Sequence, residues 1–410
     1  MKKLAAASLI PFHEKWLNLY RHLHANPELS GAESNTSALL ASELTALQFK
    51  VLSGIGGHGI AAILENGPGP VVLIRADMDA LPIEENTGLP YASKLHAPLP
   101  DGQSSPVMHA CGHDIHMTIL IGVAQVMHTL RSQWTGTLIA IGQPSEEKMN
   151  GAKAMLDDGL YSRIPHPDFA LALHVMPDLD ADKVGICPGY VWACADMLTL
   201  TVKGVSGHGA APQTTRDPIV LAAKLILALQ TIISREIDPV EPAVISIGAI
   251  HGGSTFNVIP EQVSMMLTLR SYKPEVREQL LASIQRHCTG LALAAGLPEE
   301  LHPVLQQSSI FTPPVYNDPD LTNRMANVFR EALGPDKVQT VKPEMVGEDF
   351  ALFGLVEPPV PLTIFRQGTR TPGTATKAAL HSCKYAPDAA IAIPTGVLAL
   401  SSALLDFLKK

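Results

Sequence analysis

Three apolar runs, each followed by acidic or imidazole side chains, constrain the fold of this chain more than any other feature. The runs and the side chains beyond them are 71–74 with Asp77 and Asp79, 136–141 with Glu146 and Glu147, and 169–173 with His174. Continuous apolar runs of this length are typical of strands buried on both faces of an α/β sheet. Because α/β proteins build their sites beyond the carboxyl ends of such strands, we expect these side chains to meet at one edge of a sheet.

A short segment before a predicted helix at 115–126 combines one thiol with two imidazoles. The segment reads His109-Ala110-Cys111-Gly112-His113-Asp114. Thiolate and imidazole groups select zinc-like ions, and the small Gly112 lets its two neighbours converge. A cysteine and histidines that only line a core loop are the plain alternative. The adjacent Glu146 and Glu147 favour the metal, since two neighbouring carboxylates repel each other unless they share a cation or a proton.

The pattern of predicted elements changes near residue 193. Strands and helices then follow in the order β-α-β-β-α-β, which is the ferredoxin-like arrangement, and about 110 residues form a domain in their own right. After Pro313-Pro314 the α/β pattern resumes and ends in an apolar helix at 390–408. We therefore expect an α/β catalytic domain, 1–192 and 307–410, whose mixed central sheet is flanked by helices. An α+β domain, 193–306, is inserted into it.

Composition excludes several classes of partner. The 410 residues carry a net charge of −9 without clusters of Lys and Arg, so nucleic acid is not an expected partner. We find no apolar run of about eighteen residues, and therefore expect no membrane span. Five cysteines, an odd number, fit a reducing compartment better than a disulfide framework. The apolar run 4–10 is too short for a signal peptide, so we expect a cytoplasmic protein.

One glycine-rich segment imitates a dinucleotide-binding motif. Residues 54–59 match the pattern G-x-G-x-x-G. The apolar residues 60–64 and the glycines beyond them predict a strand and a turn, whereas a bound pyrophosphate needs the N-terminus of a helix. We interpret the segment as a hairpin loop.

The candidate side chains are sufficient for a two-metal hydrolytic site. Such a site needs about five or six ligands around ions about 3.5–4 Å apart. The candidate ligands are Cys111, His113, Glu147, His174 and His381. One ion can polarise an acyl oxygen, and the pair lowers the pKa of bound water. Glu146 is the candidate base that takes the proton and delivers it to the leaving amine.

Nucleophilic catalysis by a protein side chain is the rival mechanism. The chain has no G-x-S-x-G elbow, and the nearest segment, 204–208, lacks the final glycine. A dyad of Cys111 and His113 is conceivable, but residues two apart on a turn rarely set a base onto its own thiol. It would also leave the two glutamates without a task. We prefer the metal site.

Eight motifs, in order along nearly the whole chain, resemble the amidohydrolase branch of the M20 metallopeptidases. This branch contains hippurate hydrolases, N-acyl-L-amino acid amidohydrolases and auxin-conjugate hydrolases. The Cys-Gly-His-Asp block is its most specific mark. The motifs are Arg21-x-Leu23-His24-x-x-Pro27-Glu28-Leu29, Arg75-Ala76-Asp77-Met78-Asp79-Ala80-Leu81-Pro82, His109-Ala110-Cys111-Gly112-His113-Asp114, Glu146-Glu147, Gly207-His208-Gly209-Ala210, Asn257-Val258-Ile259-Pro260, Gly347-Glu348-Asp349-Phe350 and Leu380-His381-Ser382.

The resemblance implies roles beyond those argued above. It implies the same five ligands and the same base, and it implies that His208 reaches toward the scissile carbonyl, in many relatives across a dimer interface. Asn257 and Arg270 would contact the substrate. The inserted domain would be a lid that also forms a homodimer or homotetramer. Many M20 members have His-x-Asp where this chain has Asp77-Met78-Asp79, so we expect Asp77 and Asp79 to support the ligands from behind.

We therefore expect a metal-dependent hydrolase that cleaves N-acyl-L-amino acids, such as hippurate-like or N-acetyl substrates, to a carboxylate and an amino acid. A dipeptidase or a deacetylase of an N-acetylated diamino acid is the alternative within the same family. An inactive metal-binding homologue is a third reading, but such a protein would not need Glu146. The expected cofactors are two divalent ions per subunit, zinc or manganese, with cobalt or nickel as further options.

Overall fold

The chain folds into two compact units in the computed structural model, which describes residues 4–99, 102–376 and 378–409. Unit 1 comprises Met1–Val191, Tyr316–Pro343 and Asp349–Lys410, and unit 2 comprises Trp192–Val315 and Glu344–Glu348. Unit 2 includes the whole of the expected insertion, 193–306. It continues beyond residue 306 because its last strand ends only at Thr312.

The helices begin where capping residues and prolines favour a start. Asp217 accepts hydrogen bonds from the backbone N–H groups of Ile219 and Val220, and Pro218 occupies the first helical position, where no N–H is needed. Asp318 and Pro319 do the same for a later helix. Over the described residues the α-helices are α1 (His13–Ala25), α2 (Ser34–Ala46), α3 (His113–Thr129), α4 (Gly151–Asp157), α5 (Leu160–Arg163), α6 (Pro218–Arg235), α7 (Pro274–Ala294), α8 (Pro319–Leu333) and α9 (Ala389–Phe407).

The strands include the three apolar runs of the sequence. Over the same residues they are β1 (Lys50–Ile55), β2 (Gly59–Glu65), β3 (Val71–Asp77), β4 (His96–Pro98), β5 (Ser104–Pro106), β6 (Thr137–Gln143), β7 (Phe169–Asp180), β8 (Val184–Ile186), β9 (Gly189–Trp192), β10 (Cys194–Lys203), β11 (Gly207–His208), β12 (Ala243–Gly252), β13 (Val258–Ile259), β14 (Gln262–Ser271), β15 (Val304–Thr312), β16 (Val315–Asn317), β17 (Val338–Thr340) and β18 (Leu362–Arg370).

Unit 1 is built on a mixed sheet of eight strands in the order β1-β2-β6-β3-β7-β18-β8-β17. The strand β3 lies between β6 and β7 and is parallel to both, so the carboxyl ends of these strands lie at one edge, as predicted. Helix α3 packs closely against α9, because Gly122 leaves no Cβ to collide with Val397. The expected mixed central sheet flanked by helices is confirmed.

The prediction that His174 ends its strand is wrong. Strand β7 continues for six residues to Asp180, because β18 pairs with it beyond His174. The pairs Gln367 with Val175 and Gly368 with Met176 lie past the point at which the apolar run stops. The residues before and after His174 therefore both pair with β18, and this pairing fixes the backbone of His174.

The glycine-rich segment forms a hairpin turn, as predicted. Strands β1 and β2 pair antiparallel, with Ile55 opposite Gly59. Gly56 has a φ of 62° and packs so closely on α4 that a Cβ would lie 2.6 Å or less from the backbone of Ala154 and Met155. Gly56 therefore serves a close backbone contact, and no helix begins at this turn.

Unit 2 has a four-stranded antiparallel sheet in the order β12-β14-β10-β15. Helices α6 and α7 cover one face of this sheet and bury Leu225, Leu229, Leu280 and Ile284 against it. The element order β-α-β-β-α-β agrees with the sequence prediction. A separate ribbon of β11 and β13 pairs Gly207 with Ile259 and His208 with Val258.

Two helices are long and apolar enough to cross a membrane by length and composition, although neither contains an unbroken apolar run of about eighteen residues. They are α6 and α9, and 33% and 72% of their most apolar windows are buried inside the protein. Core helices pass the same test. Helix α9 contributes Val397, Leu400 and Leu404 to the core of unit 1.

A buried histidine joins α1 to the start of α3. The Nδ1 of His24 lies 2.7 Å from Asp114 Oδ2, and its Nε2 lies 3.0 Å from Glu85 Oε1. Burial lowers the pKa of His24, but the hydrogen bonds to the two carboxylates outweigh burial and raise it to about 9. The ring is therefore a cation between two buried anions.

We expect His24→Ala to destabilise unit 1 by about 3–5 kcal/mol, because it leaves two buried carboxylates without their partner. His22→Ala, an exposed change on the same helix, is the control and should cost at most about 0.5 kcal/mol. Since the folded pKa exceeds the unfolded one, this stabilisation is complete below about pH 6.5 and is lost as the pH rises through about 9. Urea denaturation at pH 6 and pH 9.5 measures both effects. Equal urea midpoints for the two variants would contradict the assignment.

Candidate metal centre

The turn before α3 brings a thiol and an imidazole to the same side of the chain. Gly112 adopts a left-handed conformation with a φ of 78°. A Cβ at this position would lie 2.6 Å from Val175 Cγ2, so only glycine fits. Cys111 and His113 flank this turn, and His113 is the first residue of α3. The spacing Cys-Gly-His is therefore explained by a tight turn against β7.

Cys111 lies at the centre of the candidate ligands. Its Sγ is 3.6 Å from His174 Nε2 and 3.3 Å from His381 Nε2. The same His381 nitrogen is 3.3 Å from Glu147 Oε1. Two groups with ligand atoms within 4.8 Å of one another share the thiol, namely Cys111 with His113 and His174, and Cys111 with Glu147 and His381. The structure thus brings together all five predicted ligands.

One imidazole nitrogen of the cluster is buried without a hydrogen bond. His113 donates its Nδ1–H to the carbonyl oxygen of Asp79 at 2.8 Å. Its Nε2 has no hydrogen-bond partner in the part of the chain that the structure describes. It faces Asp77 Oδ2 at 3.7 Å, Glu146 Oε2 at 3.9 Å and Glu147 Oε1 at 4.0 Å. A histidine that ligates a metal has this arrangement, with one nitrogen fixed by a carbonyl and the other directed at the ion.

The buried carboxylates around His113 and Cys111 favour the binding of a cation. Burial lowers the pKa of His113, but Asp77 and Asp79 outweigh it, and the pKa rises to about 10. Burial raises the pKa of the Cys111 thiol well above its ordinary value, and the nearby Glu147 raises it further. The carboxylates that raise the pKa of His113, and that add to the effect of burial on Cys111, carry buried negative charge, which a divalent ion would compensate. The residues therefore fit divalent metal ions.

A further buried group, Asp77 with His113 and His116, is not a metal site in spite of its geometry. His116 Nδ1 hydrogen-bonds Asp77 Oδ1, and His116 Nε2 accepts the N–H of Val175 at 2.9 Å. Burial lowers the pKa of His116 to about 4, so the ring is neutral. With both nitrogens occupied, His116 can only support the His113 and His174 rings that it contacts. Because His116 lies three residues after His113 on one helix, their contact could have been predicted from the sequence.

Asp79 holds the turn that carries the two glutamates. Its Oδ1 accepts the N–H of Glu146 at 3.1 Å, and its Oδ2 accepts the N–H of Glu147 at 3.0 Å. Ser30 Oγ also donates to Oδ2, at 2.6 Å. Burial raises the pKa of Asp79, but His113 and, after it, the hydrogen bonds from Ser30 and the Glu147 N–H lower this pKa below its ordinary value. Asp79 thus contacts the backbone of the candidate base and of a candidate ligand.

Asp77 belongs to a buried network that the sequence reasoning missed. Arg75 donates to Asp77 Oδ2 at 2.8 Å and to Gln143 Oε1 at 2.8 Å. Gln143 Nε2 donates to Asp349 Oδ1 at 2.7 Å, and Asp349 Oδ2 accepts the N–H of Ala152 at 2.9 Å. The network joins the ends of β3 and β6 to α4. Asp349 belongs to the Gly-Glu-Asp-Phe motif, which was the one indication of this network in the sequence, but the motif alone predicted no contact with Gln143.

His381 occupies an unusual backbone conformation. Its φ of 61° lies in the left-handed region, which residues other than glycine seldom adopt. Its backbone N–H donates to the carbonyl of Ala110 at 2.9 Å, next to Cys111. Strained residues of this kind cluster at functional sites. The side chain is 53% exposed, so this candidate ligand is open to solvent.

The three remaining candidates lie in unit 2. His208 is exposed, and its Nδ1 accepts the N–H of Ala210 at 3.0 Å. Asn257 is exposed on the same ribbon, where its carbonyl accepts the N–H of Gly209. Arg270 lies on β14; its Nη1 is buried without a partner among the described residues, and burial lowers its pKa. His208 and Asn257 therefore lie together, whereas Arg270 belongs to the main sheet of the unit.

The chain matches the model of peptidase family M20/M25/M40 over residues 73–404. A probable hydrolase from Synechocystis sp. is 39% identical over 99% of this chain and 98% of its own length. An N-acetyldiaminopimelate deacetylase from Leuconostoc mesenteroides is 34% identical over 98% of each chain. A hippurate hydrolase from Campylobacter jejuni is 35% identical over 81% of this chain and 83% of its own.

Two solved structures support the same conclusion. A protein described as a putative aminohydrolase from methicillin-resistant Staphylococcus aureus superposes with a TM-score of 0.88 at 30% identity, over 98% of this chain and 99% of its own. A dinuclear metal-binding M20 peptidase from Bacillus subtilis superposes with a TM-score of 0.79 at 30% identity, over 97% and 98%. The chain is a hydrolytic enzyme and belongs to peptidase family M20/M25/M40.

Proposed function

We propose that this enzyme hydrolyses the amide bond of N-acyl-L-amino acids and releases a carboxylate and a free amino acid. One observation carries the proposal: two groups of metal-binding side chains share Cys111, and Glu146 lies beside them with its Oε2 3.9 Å from His113 Nε2. The hippurate hydrolase and the deacetylase among the relatives act, by their names, on acylated amino acids. The proposed substrates are hippurate-like and N-acetyl amino acids.

We assign the metal ligands as Cys111, His113, Glu147, His174 and His381. They would hold two divalent ions, zinc or manganese, with cobalt or nickel as further options, since thiolate and imidazole suit zinc whereas carboxylates also admit manganese. Such ions supply Lewis acidity, which polarises an acyl oxygen and lowers the pKa of water. The ligand side chains orient the ions, and Asp77 and Asp79 orient the ligands.

Glu146 is the proposed general base and acid. Its carboxylate takes a proton from the attacking water as the oxygen bonds to the acyl carbon. The same proton then passes to the amine nitrogen as the carbon–nitrogen bond breaks, so that the carboxylate is regenerated. Asp79 fixes the backbone N–H of Glu146 and thereby limits the positions that the carboxylate can reach.

A second candidate function within the family is a dipeptidase or a deacetylase of an N-acetylated diamino acid. The full-length similarity to an N-acetyldiaminopimelate deacetylase favours the deacetylase among these. A dipeptidase and a deacetylase would use the same ligands and base as the first candidate, and would differ from it only in the substrate. An inactive metal-binding protein is less consistent with the buried, hydrogen-bonded position of Glu146 beside the ligands.

Unit 2 is proposed to act as a lid and as the surface that forms a homodimer or a homotetramer. We assign His208 to the scissile carbonyl and Asn257 and Arg270 to the rest of the substrate. The buried Nη1 of Arg270, for which the described residues offer no hydrogen-bond partner, is suited to a carboxylate group. We place the enzyme in the cytoplasm, because five cysteines, an odd number, fit a reducing compartment better than a disulfide framework.

His208→Ala should lower kcat by about 10²–10³-fold, the effect of removing one group that stabilises a developing oxyanion. The fold should not change, because the side chain is exposed and accepts only a local hydrogen bond. His251→Ala, at another exposed histidine of unit 2, is the matched control. Steady-state kinetics and circular dichroism measure both effects. Wild-type kcat in His208→Ala would remove this residue from the mechanism.

A substrate panel tests the proposed function. We would measure the release of free amino acid from N-acetyl, N-benzoyl and dipeptide substrates and from N-acetyldiaminopimelate. Release from simple N-acyl amino acids with the highest kcat/KM supports the proposal. Release confined to dipeptides or to the diamino acid supports the second candidate instead. The absence of release from every substrate contradicts both.

A further inference from the structure

The residue before the proposed base has a strained backbone. Ser145 is buried and has a φ of 53°, in the left-handed region that costs a residue with a Cβ about 1–2 kcal/mol. Its carbonyl accepts the N–H groups of Asn150 and Gly151 at 3.4 and 3.2 Å. This conformation sets the direction in which the chain enters Glu146. Something in the surrounding structure must therefore hold it.

A distant carboxyl group contacts this strained residue. Glu33 is fully buried just before α2, and its Oε1 accepts the N–H of Ser145 at 2.8 Å and the N–H of Gly31 at 2.8 Å. Its Oε2 is buried and has no hydrogen-bond partner over the described ranges. Burial raises the pKa of Glu33 above its ordinary value and so favours the neutral acid. Both hydrogen bonds of the carboxyl group are therefore made by Oε1, one with Gly31 in a short loop and one with Ser145.

The same loop reaches the turn along two other routes. Ser30 donates to Asp79, whose carboxylate accepts the N–H groups of Glu146 and Glu147. Lys148 Nζ returns a hydrogen bond to the carbonyl of Ser30 at 2.7 Å. Segment 30–33 thus contacts the turn on both sides of the glutamate pair.

We propose that Glu33 is a positioning residue that maintains the left-handed backbone of Ser145 and so fixes Glu146 against the metal ligands. The inference rests on the proposed role of Glu146. Glu33 itself takes no part in proton transfer, because its Oε1 is directed at two backbone N–H groups. Its contribution should therefore appear in kcat and in the backbone of the turn, and not in the binding of substrate or metal.

Glu33→Ala should lower kcat by about 30–100-fold, since a displacement of about 1 Å in a catalytic group can cost about 10²-fold. KM should stay within about threefold, because ground-state binding is unchanged. Metal content, measured by mass spectrometry, should equal that of the wild type. Glu33→Gln retains the Oε1 acceptor for the two backbone N–H groups, and should keep kcat within about threefold of the wild type.

A second change separates positioning from general stability. Adding Ser145→Gly to Glu33→Ala should recover kcat at least about fivefold, because glycine adopts a positive φ without the Cβ penalty of about 1–2 kcal/mol. A packing defect at Glu33 would not be corrected by this change. The absence of recovery overturns the proposal, as does a wild-type kcat in Glu33→Ala.

Hydrogen exchange gives a readout that does not depend on activity. Amides in peptides spanning residues 144–151 should exchange faster in Glu33→Ala than in the wild type or in Glu33→Gln. Unchanged exchange in Glu33→Ala overturns the inference even if the wild type hydrolyses N-acyl amino acids. A wild type that hydrolyses none of the panel overturns the proposed function, while the exchange experiment still decides whether Glu33 holds the turn.

Discussion

Glu146→Gln is expected to lower the turnover of N-acyl amino acids by about 10²–10⁴-fold, the usual contribution of a general acid–base group. The amide of glutamine cannot accept the proton of the attacking water or deliver it to the amine. The variant should bind as much metal as the wild type, because the five assigned ligands are untouched. Kinetics and metal analysis on the same preparation test both expectations.

Two further changes control this prediction. Glu65→Gln, at the exposed end of β2, should leave both activity and metal content unchanged. Glu147→Gln should lower metal content as well as activity, because Glu147 Oε1 lies 3.3 Å from His381 Nε2 among the ligands. If Glu146→Gln instead loses metal, Glu146 belongs to the ligand set and another group must be the base.

His113→Ala is expected to lower metal affinity by at least about 100-fold, since even changes behind the ligands cost about 10–100-fold. Activity should fall with the metal. The variant removes the buried Nε2 that faces three carboxylates, and leaves those carboxylates opposed to one another. Metal affinity is measured by competition with a chromogenic chelator.

His128→Ala is the control for the same helix, because His128 lies half-buried in the last turn of α3, far along the helix from His113. It should retain metal and activity. Wild-type metal affinity in His113→Ala would show that the site is elsewhere, and would remove the central argument from geometry.

The sequence was sufficient for the parts of the site that depend on local patterns. Strands β3 and β6 contain continuous apolar runs, so their burial and their common edge could be predicted. The Cys-Gly-His turn could also be predicted, because only glycine allows Cys111 and His113 to converge so closely. The boundary of unit 2 was harder, since β15 extends to Thr312 through pairing with β10.

The parts that could not be predicted depend on contacts between distant residues. His174 appeared to end its strand because the apolar run stops there, but pairing with β18 continues the strand. Glu33 lies 112 residues before Ser145, and no local pattern announces their hydrogen bond.

The removal and return of metal tests the central claim most directly. Protein stripped by a chelator and shown by mass spectrometry to be free of metal would be titrated with zinc or manganese while amino acid release is followed. We predict that stripped protein is inactive and that activity returns and saturates near two equivalents per chain, as for a dinuclear site. Undiminished hydrolysis by metal-free protein would contradict the account.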